Sequence, residues 1–312
     1  MDNKLKIVLG ILSIMLLAGI TGCVNNPNEP QTVSLTDSDK ASTTQTPSQT
    51  DETLEIGVAA MISPKNTLNT YQDLVNYIGV KMGKKTKMVQ RATYDEMNAL
   101  VENKEVVAAF VCAGPYVDGK EKFGMELLAA PQMYGETVYY SYIIVPTDST
   151  VTKFEQLKGK KFAFTDPKSN TGKLVPTYEV GKLNETPDTF FKEYIFTGSH
   201  DNSIESVSKK LVDGAAVDHL IYEFIKKTNP DFTKGTKVIA KLGPFAMPPV
   251  VTHPGTDAAL KQQIRSILLN MDKDPEGKKI LDQVAIEKFT IIDDSAYASV
   301  RKMSEWETAS KK

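Results

Sequence analysis

The sequence predicts a two-lobed α/β fold with two extended chain crossings between the lobes. Three observations carry that expectation. From Leu54 onward, short apolar runs alternate with stretches of helical periodicity, the pattern of strands interleaved with helices. Two extended segments, Val138 to Val145 and Pro248 to Thr252, stand where this alternation breaks and restarts, as connections between lobes would. The length of 312 residues is about two domains of ~150 residues, and no repeat of fixed period divides it. The interrupted lobe is expected over 54–143 with 250–312, and the inserted lobe over 144–249.

Composition excludes several classes. With 37 Lys+Arg against 39 Asp+Glu and a net charge of -2, there is no basic footprint for nucleic acid. Two cysteines cannot build a disulfide scaffold. Only Arg91, Arg265 and Arg301 are arginines, so any ligand is gripped with few guanidinium forks.

Residues 1–22 read as an export signal: Lys4 and Lys6 precede an apolar run, Ile7 to Ile20, that is short for a membrane span. The run ends Ile20-Thr21-Gly22-Cys23, which resembles the lipobox of bacterial lipoproteins and implies lipidation of Cys23. Removing 1–22 takes away Asp2, Lys4 and Lys6, so -2 becomes -3. Residues 23–53 are then the lipid-bearing cysteine and a linker of Thr, Ser, Asn, Gln and Pro, too polar to bury a core. The second cysteine, Cys112, falls in an apolar run and is expected as a buried free thiol.

In the body, Leu54 to Ala60 is a predicted strand, followed by a helix whose apolar positions are Leu68, Tyr71, Leu74, Val75, Ile78 and Met82. A strand at Lys87 to Gln90, a helix at Tyr94 to Val101 and a strand at Val106 to Cys112 follow. Glu126 to Pro131 and Val138 to Val145 are further strands. The pattern restarts with a strand at Lys161 to Thr165, a helix from about Gly172, a strand at Tyr194 to Thr197, a helix from about Asp201 and a strand at Ala215 to Val217. Lys237 to Leu242 precedes the return crossing. A last helix is expected to be capped by Thr256, with Leu260, Ile264, Ile267, Leu268 and Met271 on its apolar face.

The informative chemistry lies at polar helix starts. Thr165-Asp166-Pro167-Lys168-Ser169-Asn170-Thr171-Gly172 follows a strand and opens a helix, where exposed N–H groups and the helix dipole favour an anion. Alone, Ser169, Asn170 and Thr171 read as caps. A second start, Gly198-Ser199-His200-Asp201, has the same form in the same lobe and adds a histidine donor. A third, Ser63-Pro64-Lys65-Asn66-Thr67, lies in the other lobe. Ligands of open α/β sheets bind beyond strand carboxyl ends, where all three sit.

In their order along the chain these pieces resemble the phosphate/phosphite/phosphonate substrate-binding proteins of ABC transporters. The matching motifs are Ser-Pro-x-x-Thr at 63, Gly-Pro-Tyr at 114, Asp-Pro-x-Ser-x-Thr-Gly-x-x-x-Pro at 166, Gly-Ser-His-Asp at 198, Val-Asp-Gly-x-x-x-Asp at 212 and Phe-x-x-x-Asp-Asp-x-x-Tyr-x-x-Val at 289. The resemblance implies a periplasmic-binding-protein fold of type II. It also implies that Ser169, Asn170, Thr171 and His200 grip the phosphorus oxygens, with Ser63 and Thr67 closing from the other lobe and Tyr116 lining the pocket. Asp218 stands where relatives place a carboxylate toward the ligand's far end, and Phe245 and Met247 are expected to make that end apolar. Asn170 departs from the hydroxyl residue of some relatives.

The expected protein is thus a monomeric, exported, lipid-anchored binding protein on the outer face of the cytoplasmic membrane. It would pass a small phosphorus oxyanion to an ABC permease, with no cofactor, metal or catalytic residue. The rival readings are another phosphorylated or heterocyclic ligand in the same fold, a sensor role, or an exported phosphoester or phosphonate hydrolase. The sequence has no Gly-x-Ser-x-Gly elbow and no phosphate-binding Walker loop, and His200, His219 and His253 are too scattered for a metal cluster.

Overall fold

The computed structural model describes residues 53–310. The export signal, Cys23 and the linker up to residue 52 lie outside the described residues. The first lobe opens with β1 (Leu54–Val58), α1 (Pro64–Met82), β2 (Thr86–Val89), α2 (Tyr94–Glu102), β3 (Ala108–Phe110), α3 (Ala113–Phe123) and β4 (Glu126–Gln132). The second comprises β5 (Val138–Pro146), β6 (Lys161–Phe164), α4 (Val175–Lys182), β7 (Glu193–Phe196), α5 (His200–Ser208), β8 (Gly214–Asp218), α6 (His219–Thr228) and β9 (Thr236–Ala246). The chain then returns through β10 (Val250–Thr252), α7 (Ala258–Asn270), α8 (Pro275–Gln283), β11 (Lys288–Thr290) and α9 (Ala298–Ser310).

Two sheets result, one of six strands in the order β11-β4-β10-β3-β1-β2 and one of five in the order β7-β6-β8-β5-β9. In the first, β1 is parallel to β2 and β3, and β10 runs antiparallel between β3 and β4. In the second, β6 is parallel to β7 and β8, while β5 runs antiparallel to β8 and β9. Period-two alternation decides which side chains meet on each face. Phe162 and Phe164 pack with Phe190 and Phe191 on one face of the second sheet, and Ala163, Ala215 and Val217 with Ile204 and Val207 on the other.

The sheets relocate the crossings. All of β5 pairs within the second sheet, with Val138 already opposite Ala246. A division at 143/144 therefore cuts a strand, and the chain passes between the sheets over 133–137 and back over 247–249. The residues after β3 form α3, a helix with no apolar period to announce it. Asp257 rather than Thr256 caps α7, because its Oδ1 accepts the Leu260 N–H at 2.9 Å while Thr256 bonds Thr252. In place of a regular helix from Gly172, a π-turn over Asn170–Leu174 comes first, closed by Leu174 N–H to Ser169 O at 2.9 Å.

Candidate functional site

Each lobe contributes three parallel strands whose carboxyl ends run into helices: β1, β2 and β3 into α1, α2 and α3, and β6, β7 and β8 into α4, α5 and α6. Contacts between these starts hold the lobes together. The His200 N–H donates to Met61 O at 3.0 Å, and the Tyr94 N–H to Asp166 Oδ2 at 3.2 Å. A Cβ on Gly114 would stand 2.4 Å from Lys168 O, so α3 approaches the Lys168–Asn170 backbone as only glycine allows.

The second lobe builds a cradle from a chain of hydrogen bonds. Ser169 caps the π-turn, its Oγ accepting the Gly172 N–H at 3.0 Å. Gly172 is obligatory, because a Cβ there would lie 2.3 Å from Thr165 Oγ1. Asn170 Nδ2 donates to the Tyr139 hydroxyl at 3.0 Å, and Ser141 Oγ, two residues along the same face of β5, donates to Thr171 O at 2.6 Å. Ser141 pairs with Asp218 across the strands, and the Asp218 N–H donates to His200 Nδ1 at 3.0 Å.

That last bond fixes the histidine's tautomer. With Nδ1 accepting, a neutral ring carries its proton on Nε2. Burial pushes the His200 pKa down to about 3, so the ring is neutral. Its Nε2 is buried without a hydrogen-bond partner, as are Thr171 Oγ1, Asn170 Oδ1 and the Tyr94 hydroxyl, four of the six such side-chain atoms among the described residues. Tyr94 lies close to Ser169, Cys112 and Asp218, and burial raises its pKa well above the usual value. Unpaired buried polar groups are costly unless something completes them. Here they offer donors plus one amide acceptor. The three arginines are engaged elsewhere, Arg91 with Gln90 O, Arg265 with Leu127 O and Leu128 O, and Arg301 with Asp294.

Asp218 is 2% exposed, and its Oδ1 accepts the Leu220 N–H at 2.8 Å. Burial pushes its pKa up to about 7. His219 Nδ1 lies 3.9 Å away but accepts the Tyr140 N–H at 3.0 Å, and burial and Lys241 lower its pKa to about 4. The neutral His219 therefore supplies no counter-charge. Beyond Asp218 opens a cavity of about 60 Å³ walled by Met61, Ile62, Phe110, Leu220 and Pro248. Phe245 packs instead against Tyr139, with ring centroids 6.3 Å apart, and Met247 O accepts the Tyr297 hydroxyl.

Ser169, Asn170, Thr171, His200 and Asp218 are thus joined in one network. Ser63, Thr67 and Tyr116, expected from the sequence to face a ligand, have protein partners instead. Ser63 Oγ donates to Asp201 Oδ2 at 2.5 Å, and Thr67 Oγ1 to Ile62 O at 2.9 Å. The Tyr116 hydroxyl donates to Asp294 Oδ1 at 2.6 Å while its ring packs on Tyr297 at 4.5 Å, so the C-terminal Asp-Asp-x-x-Tyr motif serves to hold Tyr116. Sequence reasoning missed Tyr94, Tyr139, Ser141 and Asp201. Tyr139 and Ser141 had a signal, since alternation along 138–143 puts both on the buried face with Ile143. A nucleophile–base pair is not formed, because His200 Nδ1 accepts from Asp218 and Nε2, which carries the ring proton, has no hydrogen-bond partner. Cys112 is buried, with Sγ 3.5 Å from the Tyr139 hydroxyl.

Comparison with known proteins identifies the family. Residues 56–297 match the family model described as ABC transporter, phosphonate, periplasmic substrate-binding protein. The phosphonates-binding periplasmic protein of Escherichia coli is 26% identical over 237 residues, 73% of this chain and 64% of that protein's length. A probable ABC transporter phosphite binding protein of Prochlorococcus marinus is 21% identical over 75% of this chain and 76% of its own. Among solved structures, a binding component of an ABC phosphonate transporter from Pseudomonas aeruginosa superposes with a TM-score of 0.78 at 23% identity, covering 83% of this chain and 87% of the other. A Prochlorococcus marinus protein in complex with methylphosphonate gives 0.75 at 17% identity, covering 82% and 98%. With more than two thirds of its length matched by that model, and its two sheets superposing on these structures, the chain belongs to the periplasmic substrate-binding proteins of phosphonate ABC transporters.

Proposed function

We propose that this protein captures a small phosphorus oxyanion (phosphonate, phosphite or phosphate) between its lobes and delivers it to an ABC permease. The observation that carries the reading is the cluster of buried atoms without partners, His200 Nε2, Thr171 Oγ1, Asn170 Oδ1 and the Tyr94 hydroxyl. A tetrahedral oxyanion would accept from His200, Thr171, Tyr94 and Ser169, while a protonated oxygen would donate to Asn170 Oδ1. Neutral donors suit transport, because they hold the anion without the full attraction of an ion pair.

The apolar cavity beyond Asp218 favours a compact substituent without an amine. A buried ammonium would require several acceptors, and the segment Gly243 to Pro249 offers no carboxylate. Phosphite, phosphate or methylphosphonate would therefore bind more tightly than 2-aminoethylphosphonate. Competition calorimetry at one pH and salt tests both statements. Tightest binding of the aminated compound would overturn the second, and no binding of any phosphorus oxyanion the first.

The body is held at the membrane by a lipid on Cys23, as the Ile-Thr-Gly-Cys sequence suggests. Cys23→Ala is expected to remove the lipid's mass increment and release the protein from the detergent phase; an unchanged mass would refute the anchor.

A further inference from the structure

Apart from Pro64 at its first position, helix α1 begins without the groups that normally stabilise a helix start. Its N-cap, Ser63, makes no side-chain cap to its own helix, no acidic residue stands in the first turn, and Lys65 adds positive charge there. Helix α2, in the same lobe, has the reciprocal Thr93–Glu96 capping box together with Asp95. What α1 lacks comes from the other lobe. Asp201, 3% exposed in the first turn of α5, accepts the Ser63 N–H at 2.9 Å through Oδ1, and Ser63 Oγ at 2.5 Å and Asn66 Nδ2 at 3.0 Å through Oδ2. Within its own lobe Ser199 Oγ donates to its Oδ1 at 2.5 Å. Burial opposes the charge, yet the hydrogen bonds from Ser199, Ser63 and Asn66 hold the carboxyl below its usual range.

We infer that Asp201 is the closure latch of this protein, the carboxylate that caps α1 across the cleft and couples seating of its neighbour His200 to lobe closure. The coupling is covalent and short. The His200 N–H bonds Met61 O in the first lobe while His200 Nε2 is buried without a partner, and the next residue holds α1. Opening the cleft would leave α1 uncapped and Asp201 without Ser63 and Asn66. Asp201 therefore acts on the open–closed equilibrium and only through it on the ligand. This inference rests on the proposed capture between lobes, but its test needs no ligand.

Amide hydrogen exchange on the full chain, without added ligand, reads the latch from both sides. Asp201→Asn is expected to speed exchange at Ser63 and at His200 together, on the order of tenfold, while amides within β1 and β6 keep their wild-type rates. Ser63→Ala, at a partly exposed site in the other lobe, should speed exchange at His200. The double variant should be little worse than Asp201→Asn alone, since both break one interaction. A Ser63 amide that is unprotected in the wild type, or whose protection survives Asp201→Asn, overturns the inference, as do effects that simply multiply. Absence of binding by methylphosphonate, phosphite and phosphate alike would instead defeat the ligand reading, and the exchange rates would still decide the latch.

Discussion

Two stretches of this protein look alike as sequence, Ser169-Asn170-Thr171-Gly172 in the second lobe and Ser63-Pro64-Lys65-Asn66-Thr67 in the first. Each follows a parallel strand, opens a helix and is rich in small polar residues. Their fates differ. In the second lobe the π-turn and β5 leave Thr171 Oγ1 and Asn170 Oδ1 buried and unpaired, next to a histidine whose proton is fixed on Nε2. In the first lobe Asp201 takes the Ser63 donors and the Ile62 carbonyl takes Thr67. The difference teaches that donor chemistry at a helix start does not define an anion site. What defines it is whether the fold leaves the donors unmet where water cannot reach them.

The sharpest way to break this comparison is to remove the second-lobe donors. Hydrogen bonds to a charged ligand contribute roughly 1.5–3 kcal/mol each, so His200→Ala or Thr171→Val should weaken methylphosphonate binding about ten- to a hundredfold. Unchanged calorimetric affinity in both variants would place the site elsewhere.

Next in size is the pH response of Asp218. Its pKa in the fold, about 7, exceeds the unfolded value, so the ionised form is the unfavourable one. Folding stability from this group is complete at acid pH and is lost as pH rises to about 7. Asp218→Asn should thus stabilise the ligand-free protein at pH 8 but not at pH 4, read as the shift in urea midpoint. The ratio of variant to wild-type affinity for methylphosphonate should also rise above pH 7, by at most about tenfold per pH unit. A flat ratio between pH 6 and pH 9 would show that Asp218 does not sense the anion. His200, lowered to about 3, should add no break near its ordinary pKa.

Smaller is the expected effect of Ser63→Ala on affinity, a few-fold, because Ser63 acts through closure. A loss as large as that of His200→Ala would make Ser63 a direct ligand and erase the contrast between the two starts. The smallest effect on binding belongs to Tyr116→Phe. Losing the bond to Asp294 should cost about 1 kcal/mol of stability, seen as a lower melting temperature, with affinity held within about twofold. A clear loss of affinity would return Tyr116 to the site.

The sequence by itself determined the two-lobed α/β plan, the position of most elements and the polar helix starts at Ser169 and Ser199. Those features are local: periodicity marks strands and helices, and Ser169 caps the turn that holds Gly172, three residues on. Tertiary structure alone decided the rest. Tyr94 comes near Ser169, and Tyr139 bonds Asn170, because α2 and β5 are brought together from opposite lobes. The Tyr116 hydroxyl is held by Asp294, 178 residues away. Ser63 becomes part of a latch because Asp201 lies 138 residues downstream yet within hydrogen-bonding reach. A polar side chain's role depends on which partner reaches it first, and long-range partners are set by how the sheets pack, which no local pattern records.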